Sequence, residues 1–285
     1  VTDYPDTSLV NPGMTDVPCN GLDEDCDGLD ECGGSFDFQG DIRIFSTSPS
    51  ATSTENIGLS TVVLDGLTIS TSGASTAYLS NPRTMVVSSP GFDSVGSNEG
   101  AVHLLTFNYD NPPSAIDLDD YSSVKDYTHL VITGPVGHHE LGISLATGDI
   151  DGDGLDDLVI GAPHAKRPSS SIANGVVYVF LGKTLESILS SASAQGDWAM
   201  NEFHEVTVED ADMVLFGGKL DRGVGGALQV VDLNGDGSDD IVIGAPEKSN
   251  VDKAKVFFAF GGPSGMSFAP NATKPEVYWL STWTY

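Results

Sequence analysis

The sequence predicts an all-β protein built from repeated sheets, and three observations lead to that prediction. First, Gly58, Gly142 and Gly225 begin matching units that lie 84 and 83 residues apart. Second, each unit continues into short apolar strands separated by Gly, Pro, Asn and Asp turns. Third, helix signals are sparse. A fixed period with several short strands per unit is typical of stacked or radial β architectures.

Each unit contains two matching strands. The first strand ends in a proline turn, at 85–90, 158–163 and 241–246, and the second is apolar, at 100–107, 175–182 and 254–260. The segment 158–160 is apolar without alternation, as expected for a strand that is buried on both faces. The clearest helix signal lies at 183–194, where Leu185, Ile188 and Leu189 share one face, and it predicts one short helix between the second and third units.

Two nine-residue loops, 149–157 and 232–240, place oxygen-bearing side chains at positions 1, 3, 5 and 9, with glycine at position 6 for a sharp turn. Carboxylates this close repel each other unless a cation lies among them. An all-oxygen set on a flexible loop suits a hard cation, and Ca²⁺ best. The predicted metal residues, including those at position 7, are Asp149, Asp151, Asp153, Leu155 and Asp157 in one loop and Asp232, Asn234, Asp236, Ser238 and Asp240 in the other.

The nearest alternative is the EF-hand, which requires a bidentate Glu at position 12. Position 12 is Ile160 in one loop and Ile243 in the other, so the carboxylate at position 9 is expected to close the coordination shell. In the first unit, Asp65 is followed by no carboxylate at positions 3, 5 or 9. That unit is therefore predicted to fold without metal.

The pattern of 141–142, the 149–157 loop and the Gly-Ala-Pro at 161–163 resembles the FG-GAP repeat of the integrin α-subunit β-propeller. The resemblance covers about residues 41–263 and is weakest in the first unit. It implies that each repeat forms one four-stranded blade and that the loop binds Ca²⁺ at the rim. The chain departs from the motif, because 141–142 reads Leu-Gly, 224–225 reads Val-Gly, and inserts near 66–82 and 185–205 lengthen the units.

The predicted architecture is all-β with propeller-type blades: blade 1 without an ion loop at 35–110, blades 2 and 3 with calcium loops at 111–184 and 185–263, and the start of a further blade or a tail at 264–285. A propeller needs at least four blades, so the chain is expected to be part of a larger ring. The segment 276–280 is interpreted as the first strand of another blade, matching 128–132 and 205–208 within their units. An open three-unit array with capped ends is the alternative.

Residues 1–34 form a separate Cys/Asp-rich segment that contains all three cysteines, Cys19, Cys26 and Cys32. The spacing of the two loops recurs here, and it predicts a third Ca²⁺ site from Asp23, Asp25, Asp27, Leu29 and Glu31. The segment resembles the Asn-Pro-Gly, Cys-Asn-Gly and Asp-Cys-Asp-Gly metal-binding motif of bacterial surface and secreted proteins.

The cysteine chemistry of this segment has two interpretations. In an oxidising compartment Cys19 and Cys26 could form a disulfide, and Cys32 would then pair with a cysteine outside this chain or replace one of the two. A thiolate site for zinc or copper is the alternative, although three cysteines without a nearby histidine make a poor tetrahedral set.

The composition is strongly acidic, with 41 acidic and 12 basic side chains and a net charge of −29. Such a charge argues against nucleic-acid partners and anionic membrane surfaces, and it suits an extracellular or salty medium. No apolar run approaches the length of a membrane-spanning helix, so no membrane insertion is expected. The chain begins with Val1, which favours a processed or partial product.

No catalytic constellation is recognisable, and the chain is predicted not to be an enzyme. His138-His139-Glu140 lacks the second histidine of a zinc-protease helix, because Gly142 occupies that position. The preferred function is an extracellular Ca²⁺-binding propeller segment for adhesion or surface assembly, with a protein or glycan ligand and self-association through blade edges. The alternatives are a structural subunit of a surface filament or layer, and a noncatalytic propeller attached to a secreted hydrolase.

Overall fold

The computed structural model describes residues 42–46, 56–67, 82–92, 99–108, 113–118, 127–134, 139–166, 173–194, 204–217, 223–246, 254–263 and 266–268. The chain divides into two compact units, Val1–Arg43 and Ile44–Tyr285. Two predictions lie outside the described residues: the Cys/Asp-rich segment with its proposed metal site, and the strand at 276–280.

Fifteen β-strands, one α-helix and one 3₁₀ helix (Val208–Asp210) form the regular structure of the described residues. In chain order the strands and the α-helix are β1 (Arg43–Phe45), β2 (Thr61–Leu64), β3 (Pro82–Ser89), β4 (Ala101–Asn108), β5 (Ala115–Asp117), β6 (Tyr127–Thr133), β7 (Ser144–Gly148), β8 (Asp157–Ala162), β9 (Val176–Phe180), α1 (Gly182–Ala194), β10 (His204–Thr207), β11 (Met213–Phe216), β12 (Ala227–Val231), β13 (Asp240–Ala245), β14 (Lys255–Phe260) and β15 (Ser267–Phe268). The all-β prediction is confirmed, and so is a helix at 183–194. This helix lies between β9 and β11, which belong to one sheet, and not between two units as predicted. Over the described residues, no helix has the length and apolar character needed to cross a bilayer.

Three sheets share one design, in which four antiparallel strands follow one another as a meander. Their strand orders are β2-β3-β4-β6, β7-β8-β9-β11 and β12-β13-β14-β15, and β1 pairs with β5 in a separate two-stranded sheet. A four-stranded antiparallel meander repeated along the chain is the blade of a propeller. The prediction of propeller-type blades is therefore confirmed.

The first sheet carries a fifth strand that the sequence assigned elsewhere. Strand β10 pairs in parallel with β6, with His204 opposite Leu130. The segments 128–132 and 205–208 therefore do not hold matching positions in their units, because β6 is the fourth strand of the first sheet and β11 is the fourth strand of the second. The edge of β6 offers unpaired backbone groups, and β10 satisfies them.

The sheets also begin and end at other residues than the blade boundaries proposed at 110/111 and 184/185. The meanders run over 61–133, 144–216 and 227–268, and α1 lies inside the second of them, between β9 and β11. A sequence repeat predicts the spacing of the sheets along the chain but not which strand is the first of each sheet. The first strand is determined by hydrogen bonding between strands.

The second sheet is buried on both faces, as the apolar run at 158–160 predicts. Leu158 and Ile160 belong to one core cluster, which they share with Leu104 of the first sheet. Val159, which points to the opposite face, belongs to a second cluster with Ile241 of the third sheet. Full burial of such a side chain contributes about 1.5–3 kcal/mol, so face-to-face packing of neighbouring sheets is the main source of stability.

The third sheet has one buried and one exposed face. Ile241 and Ile243 are fully buried against the second sheet. On the opposite face, Val231, Val256 and Phe258 keep 40%, 58% and 43% of their surface exposed. The corresponding face of each of the other two meanders packs against the next sheet, so this face is an apolar surface with no sheet of the described chain on it.

The helix α1 packs on the first core cluster through one face. Leu185 and Leu189 are fully buried, and Ile188 packs against the same cluster. These are the three residues that share a face in the sequence pattern. The helix therefore closes one end of the interface between the first and second sheets.

A buried histidine pair lies in the first sheet. His103 on β4 and His129 on β6 are almost fully buried, and Nδ1 of His103 lies 2.9 Å from Nε2 of His129. Phe92 packs edge-on against the His103 ring. Burial, and then the neighbouring His129, hold the pKa of His103 well below its usual value of 6.5.

This lowered pKa predicts that acid destabilises the fold through His103. The pKa of His103 is lower in the folded state than in the unfolded state, so its contribution to the free energy of unfolding is fully present above the unfolded pKa of 6.5. This contribution is lost as the pH falls below 6.5 and through the folded pKa. His103→Gln, which cannot titrate, should therefore lose less melting temperature than the wild type between about pH 7 and about pH 5. The expected difference is roughly 2 °C or more, the shift that about 1 kcal/mol produces in a chain of this size.

The control for this measurement is Thr84→Val. It removes the 2.8 Å hydrogen bond between the buried hydroxyls of Thr84 and Thr106 in the same sheet, and changes no titratable group. Its melting temperature should be lower at every pH but should show the wild-type pH dependence. Equal pH dependence in His103→Gln and the wild type would show that the histidine pair does not control acid stability.

Candidate metal centre

Both acidic loops are hairpin connections between the first two strands of a blade. The 149–157 loop joins β7 to β8, and the 232–240 loop joins β12 to β13. Their backbones match, because Gly154 and Gly237 at position 6 have φ of 90° and 92°. These left-handed values favour glycine, so the glycine spacing of the sequence follows from the turn.

The first loop brings three of its predicted ligands together. Asp149, Asp151 and Asp153 offer ligand atoms that all lie within 4.8 Å of one another. Backbone N–H groups hold the outer two carboxylates in place: Asp153 N donates to Asp149 Oδ1 and Leu155 N donates to Asp153 Oδ1, both at 2.9 Å. The loop therefore holds a triad of carboxylates that could bind a metal ion.

Asp151 provides the test of whether a cation fits this triad. Its Oδ1 is buried, and no donor among the described residues bonds to it. Burial and the charge of Asp153 raise the pKa of Asp151. A buried carboxylate oxygen without a donor is destabilising unless a positive charge approaches it. The donor set therefore fits a hard cation between the three side chains.

A lysine that sequence analysis did not identify already contacts the triad. Lys183, in the first turn of α1, places Nζ 2.7 Å from Asp153 Oδ2. This contact with Lys183 is the main cause that lowers the pKa of Asp153. The sequence carries no direct signal for this contact. The structure explains it, because the N–H of the preceding residue, Gly182, bonds to Asp157 at the end of the loop.

The carboxylates at position 9 bind backbone groups on two sides. Asp157 accepts hydrogen bonds from Ile150 N at 2.8 Å and Gly182 N at 2.7 Å. Asp240 in the other loop accepts equivalent bonds from Leu233 and Gly261, both at 2.9 Å. Burial raises the pKa of Asp157 to about 7. These residues connect each loop to the end of the third strand of its blade, and their predicted role as metal ligands stays a prediction.

The second loop repeats the hydrogen bonds of the first, although its residues 232–237 are exposed. Asp236 N and Gly237 N donate to the two oxygens of Asp232 at 3.2 and 3.1 Å, as Asp153 and Gly154 donate to Asp149. Asn234 Nδ2 donates to Asp236 Oδ2 at 2.9 Å. The bond from Ser238 N, and then the one from Asn234, lower the pKa of Asp236.

The predicted site residues therefore have different outcomes. The structure groups Asp149, Asp151 and Asp153 directly, and it arranges Asp232, Asn234 and Asp236 in the same loop conformation. The residues at position 7, Leu155 and Ser238, donate backbone hydrogen bonds to the carboxylates at position 5. The site predicted from Asp23, Asp25, Asp27, Leu29 and Glu31 lies outside the described residues.

Comparison with known proteins identifies the same two segments. Residues 141–180 and 224–255, which contain the two loops, match the FG-GAP repeat. The chain is 30% identical over 184 residues to phosphatidylinositol-glycan-specific phospholipase D of Homo sapiens, which covers 63% of this chain and 19% of the relative.

Two integrin α subunits are similarly related. Integrin alpha-PS2 of Drosophila melanogaster is 33% identical over 147 residues, covering 49% of this chain and 9% of the relative. Integrin alpha-5 of Xenopus laevis is 30% identical over 156 residues, covering 50% and 13%. The chain thus spans less than a fifth of the length of each of these three relatives. FG-GAP repeats and integrin α similarity support the propeller-type arrangement of the sheets.

The Lys183 contact predicts that this side chain competes with a bound cation. Lys183→Met should raise the affinity of the 149–157 loop for Ca²⁺ severalfold, because the carboxylate of Asp153 no longer has to exchange one positive partner for another. Isothermal titration calorimetry in the Asp236→Ala background, which isolates this loop from 232–240, measures the change.

The matched control is Lys166→Met, which removes one exposed positive charge after β8, at the other end of the second sheet. It should leave the affinity of the loop close to that of the parent. An equal change in both variants would mean that net charge, rather than the contact with Asp153, determines the effect.

Proposed function

We propose that this chain is an extracellular Ca²⁺-binding β-propeller segment that serves adhesion or surface assembly. The observation that carries the proposal is the triad of Asp149, Asp151 and Asp153, in which a buried oxygen of Asp151 has no donor among the described residues. The same loop conformation recurs at 232–240. Two hairpins with the same acidic spacing at equivalent places in neighbouring blades favour a repeated cation site.

The choice of Ca²⁺ follows from the donor chemistry. Each loop offers side-chain oxygens at positions 1, 3 and 5, a backbone carbonyl at position 7 and a carboxylate at position 9. Ca²⁺ takes six to eight oxygen ligands in flexible geometry, whereas Mg²⁺ requires a near-ideal octahedron and keeps several waters. A nine-residue loop with four or five protein donors suits the larger ion. The third site, at residues 23–31, belongs to the same proposal.

The bound ion would neutralise the triad and hold the hairpin closed. At present Lys183 supplies the one positive group that the described residues place on Asp153. A divalent ion would contact all three carboxylates at once, so the loop and the strands it joins would resist opening. Ligand binding to the folded state alone adds about 2.7 kcal/mol of stability at a hundredfold excess over Kd.

The proposed location outside the cell is supported by charge and by the kind of site. The net charge of −29 requires screening by counterions. Open loops of this type resemble extracellular modules, whose Ca²⁺ dissociation constants reach about 10⁻⁴–10⁻³ M, well above cytosolic free Ca²⁺. Two of the named relatives are integrin α subunits. The ligand in adhesion would be a protein or a glycan.

Self-association is the second part of the proposal. The exposed face of the third sheet carries Val231, Val256 and Phe258, all at least 40% exposed. Equivalent faces of the first and second sheets are covered by the next sheet. A contact between copies through this face and its strand edges would remove the apolar surface from water. This contact is also what a filament or layer subunit would use.

A second candidate function is favoured by the phospholipase relatives. Several matched proteins are named phosphatidylinositol-glycan-specific phospholipase D, and this chain covers 16–21% of their length. The chain would then be a noncatalytic propeller attached to a secreted hydrolase. A catalytic domain encoded in the same reading frame would support this candidate. A reading frame with only repeats and the Cys/Asp-rich segment would support the adhesion proposal.

Calcium removal provides the direct test of the proposal. EDTA should lower the melting temperature of the wild-type chain, and added Ca²⁺ should restore it. Asp153→Ala and Asp236→Ala should each lose one bound Ca²⁺ by equilibrium dialysis. Asp65→Ala, which alters a loop without a ligand set, should leave the metal content unchanged. Identical melting curves with Ca²⁺ and with EDTA would contradict a structural role for the sites.

The exposed face predicts concentration-dependent association. Sedimentation equilibrium of the wild-type chain should show masses above 29.8 kDa as the concentration rises. Phe258→Ser should weaken this association without adding charge, whereas Leu59→Ser, at a residue that is 57% exposed near the first sheet, should not. A wild-type chain that stays monomeric at all concentrations would exclude self-association through this face.

A further inference from the structure

The aspartates at position 8 of the two loops contact the preceding blade. Asp239 accepts a hydrogen bond from Asp149 N through Oδ2 at 3.0 Å, and its own N–H donates to Asp149 O at 2.8 Å. Asp156 makes the same pair of bonds with Asp65, at 2.8 and 3.1 Å. We call each such pair, Asp156 with Asp65 and Asp239 with Asp149, a docking pair.

Glycines around the second docking pair allow the backbones of the two blades to approach each other closely. A Cβ at Gly148 would collide with Asp239 Oδ2, and a Cβ at Gly261 would collide with the carbonyl oxygens of Asp239 and Ile150. Gly262 N adds a third bond between the blades, to Ile150 O at 2.8 Å. The hairpin of one blade is thus joined by several hydrogen bonds to the next.

The first docking pair separates blade docking from metal binding. The loop after Asp65 has no ligand set, yet Asp156 bonds to it in the same way as Asp239 bonds to Asp149. The aspartate at position 8 therefore joins neighbouring blades whether or not the loop that it contacts has metal ligands. In the second pair, however, the partner is a predicted ligand: the backbone of Asp149 bonds to Asp239 while its carboxylate belongs to the triad.

The other side of Asp239 is fixed by its own loop. Ser238 N, immediately before it, donates to Asp236 Oδ1 at 3.0 Å. Asp240, immediately after it, accepts from Leu233 and Gly261. A cation bound by Asp232, Asn234 and Asp236 would restrict the motion of these residues. Because Asp239 is hydrogen-bonded to the backbone of Asp149, the motion of Asp149 would be restricted as well.

We propose that Asp239 is a positioning residue that couples the two loops, so that Ca²⁺ in the 232–240 loop raises the Ca²⁺ affinity of the 149–157 loop. This inference rests on the proposed function. When the first ion has ordered Asp239, the second ion pays less conformational entropy to order Asp149. Coupling is reciprocal, and a typical coupling of this kind changes affinity by about fivefold or more.

The experiment follows each loop separately by NMR in the 285-residue chain. The amides of Gly154 and Gly237 donate to Asp149 Oδ2 and Asp232 Oδ2, so their shifts report Ca²⁺ binding in the two loops. In the wild type, the Gly154 midpoint should lie at least about fivefold below its value in Asp236→Ala, which disables the 232–240 loop.

Variants of Asp239 show whether the coupling passes through this residue. Asp239→Ala should raise the Gly154 midpoint and make it insensitive to Asp236→Ala, as in a double-mutant cycle with no interaction. Asp239→Asn keeps an oxygen that accepts from Asp149 N, and it should keep the coupling. Both variants lose the same charge, so their comparison isolates the hydrogen bond.

Each outcome decides between the claims. No shift of either amide with Ca²⁺ contradicts the proposed function and the coupling together. Shifts of both amides, with a Gly154 midpoint that does not respond to Asp236→Ala, contradict the coupling alone. Loss of coupling in Asp239→Asn contradicts the role of the accepting oxygen. If Asp239→Ala does not fold, the comparison of wild type with Asp236→Ala still tests the coupling, and loss of coupling in Asp239→Asn still contradicts the role of the accepting oxygen.

Discussion

Neighbouring sheets of this protein bury their apolar faces against each other, and this packing determines where the loops lie. The second sheet is apolar on both faces, and it is stable in water only because the first and third sheets cover it. Packing of this kind brings the hairpins of successive blades side by side at one end of the sheets. The acidic loops therefore lie where their backbones can hydrogen-bond across the boundary between blades, and the docking pairs of Asp156 and Asp239 are the result.

The same placement gives the loops their chemistry. Backbone N–H groups orient the carboxylates at positions 1 and 5, and the buried carboxylate at position 9 connects the loop to the end of another strand. Three negative side chains are thereby held together before any ion binds. The cost of that repulsion is offset in part by Lys183. A cation bound among them would neutralise the remaining repulsion and further restrict the motion of the loop.

Much of this arrangement could be predicted from the sequence, because local signals encode it. The repeat predicted the three sheets, the acidic spacing predicted the triad, and the spacing of Leu185 and Leu189 predicted the helix. The pairing of β10 with β6 could not be predicted, since a parallel partner from a distant segment leaves no local pattern. The roles of Lys183 and Asp239 were also missed. Their partners lie in another part of the chain, and only the folded backbone brings them together.

Anomalous diffraction would locate divalent cations in the two hairpin loops. Crystals grown with Ca²⁺ should show an anomalous peak in each hairpin loop, one 2.3–2.6 Å from oxygens of Asp149, Asp151 and Asp153, and one at the same range from Asp232, Asn234 and Asp236. Loops that keep the present conformation with no peak at either position, at Ca²⁺ concentrations well above 10⁻³ M, would contradict the account.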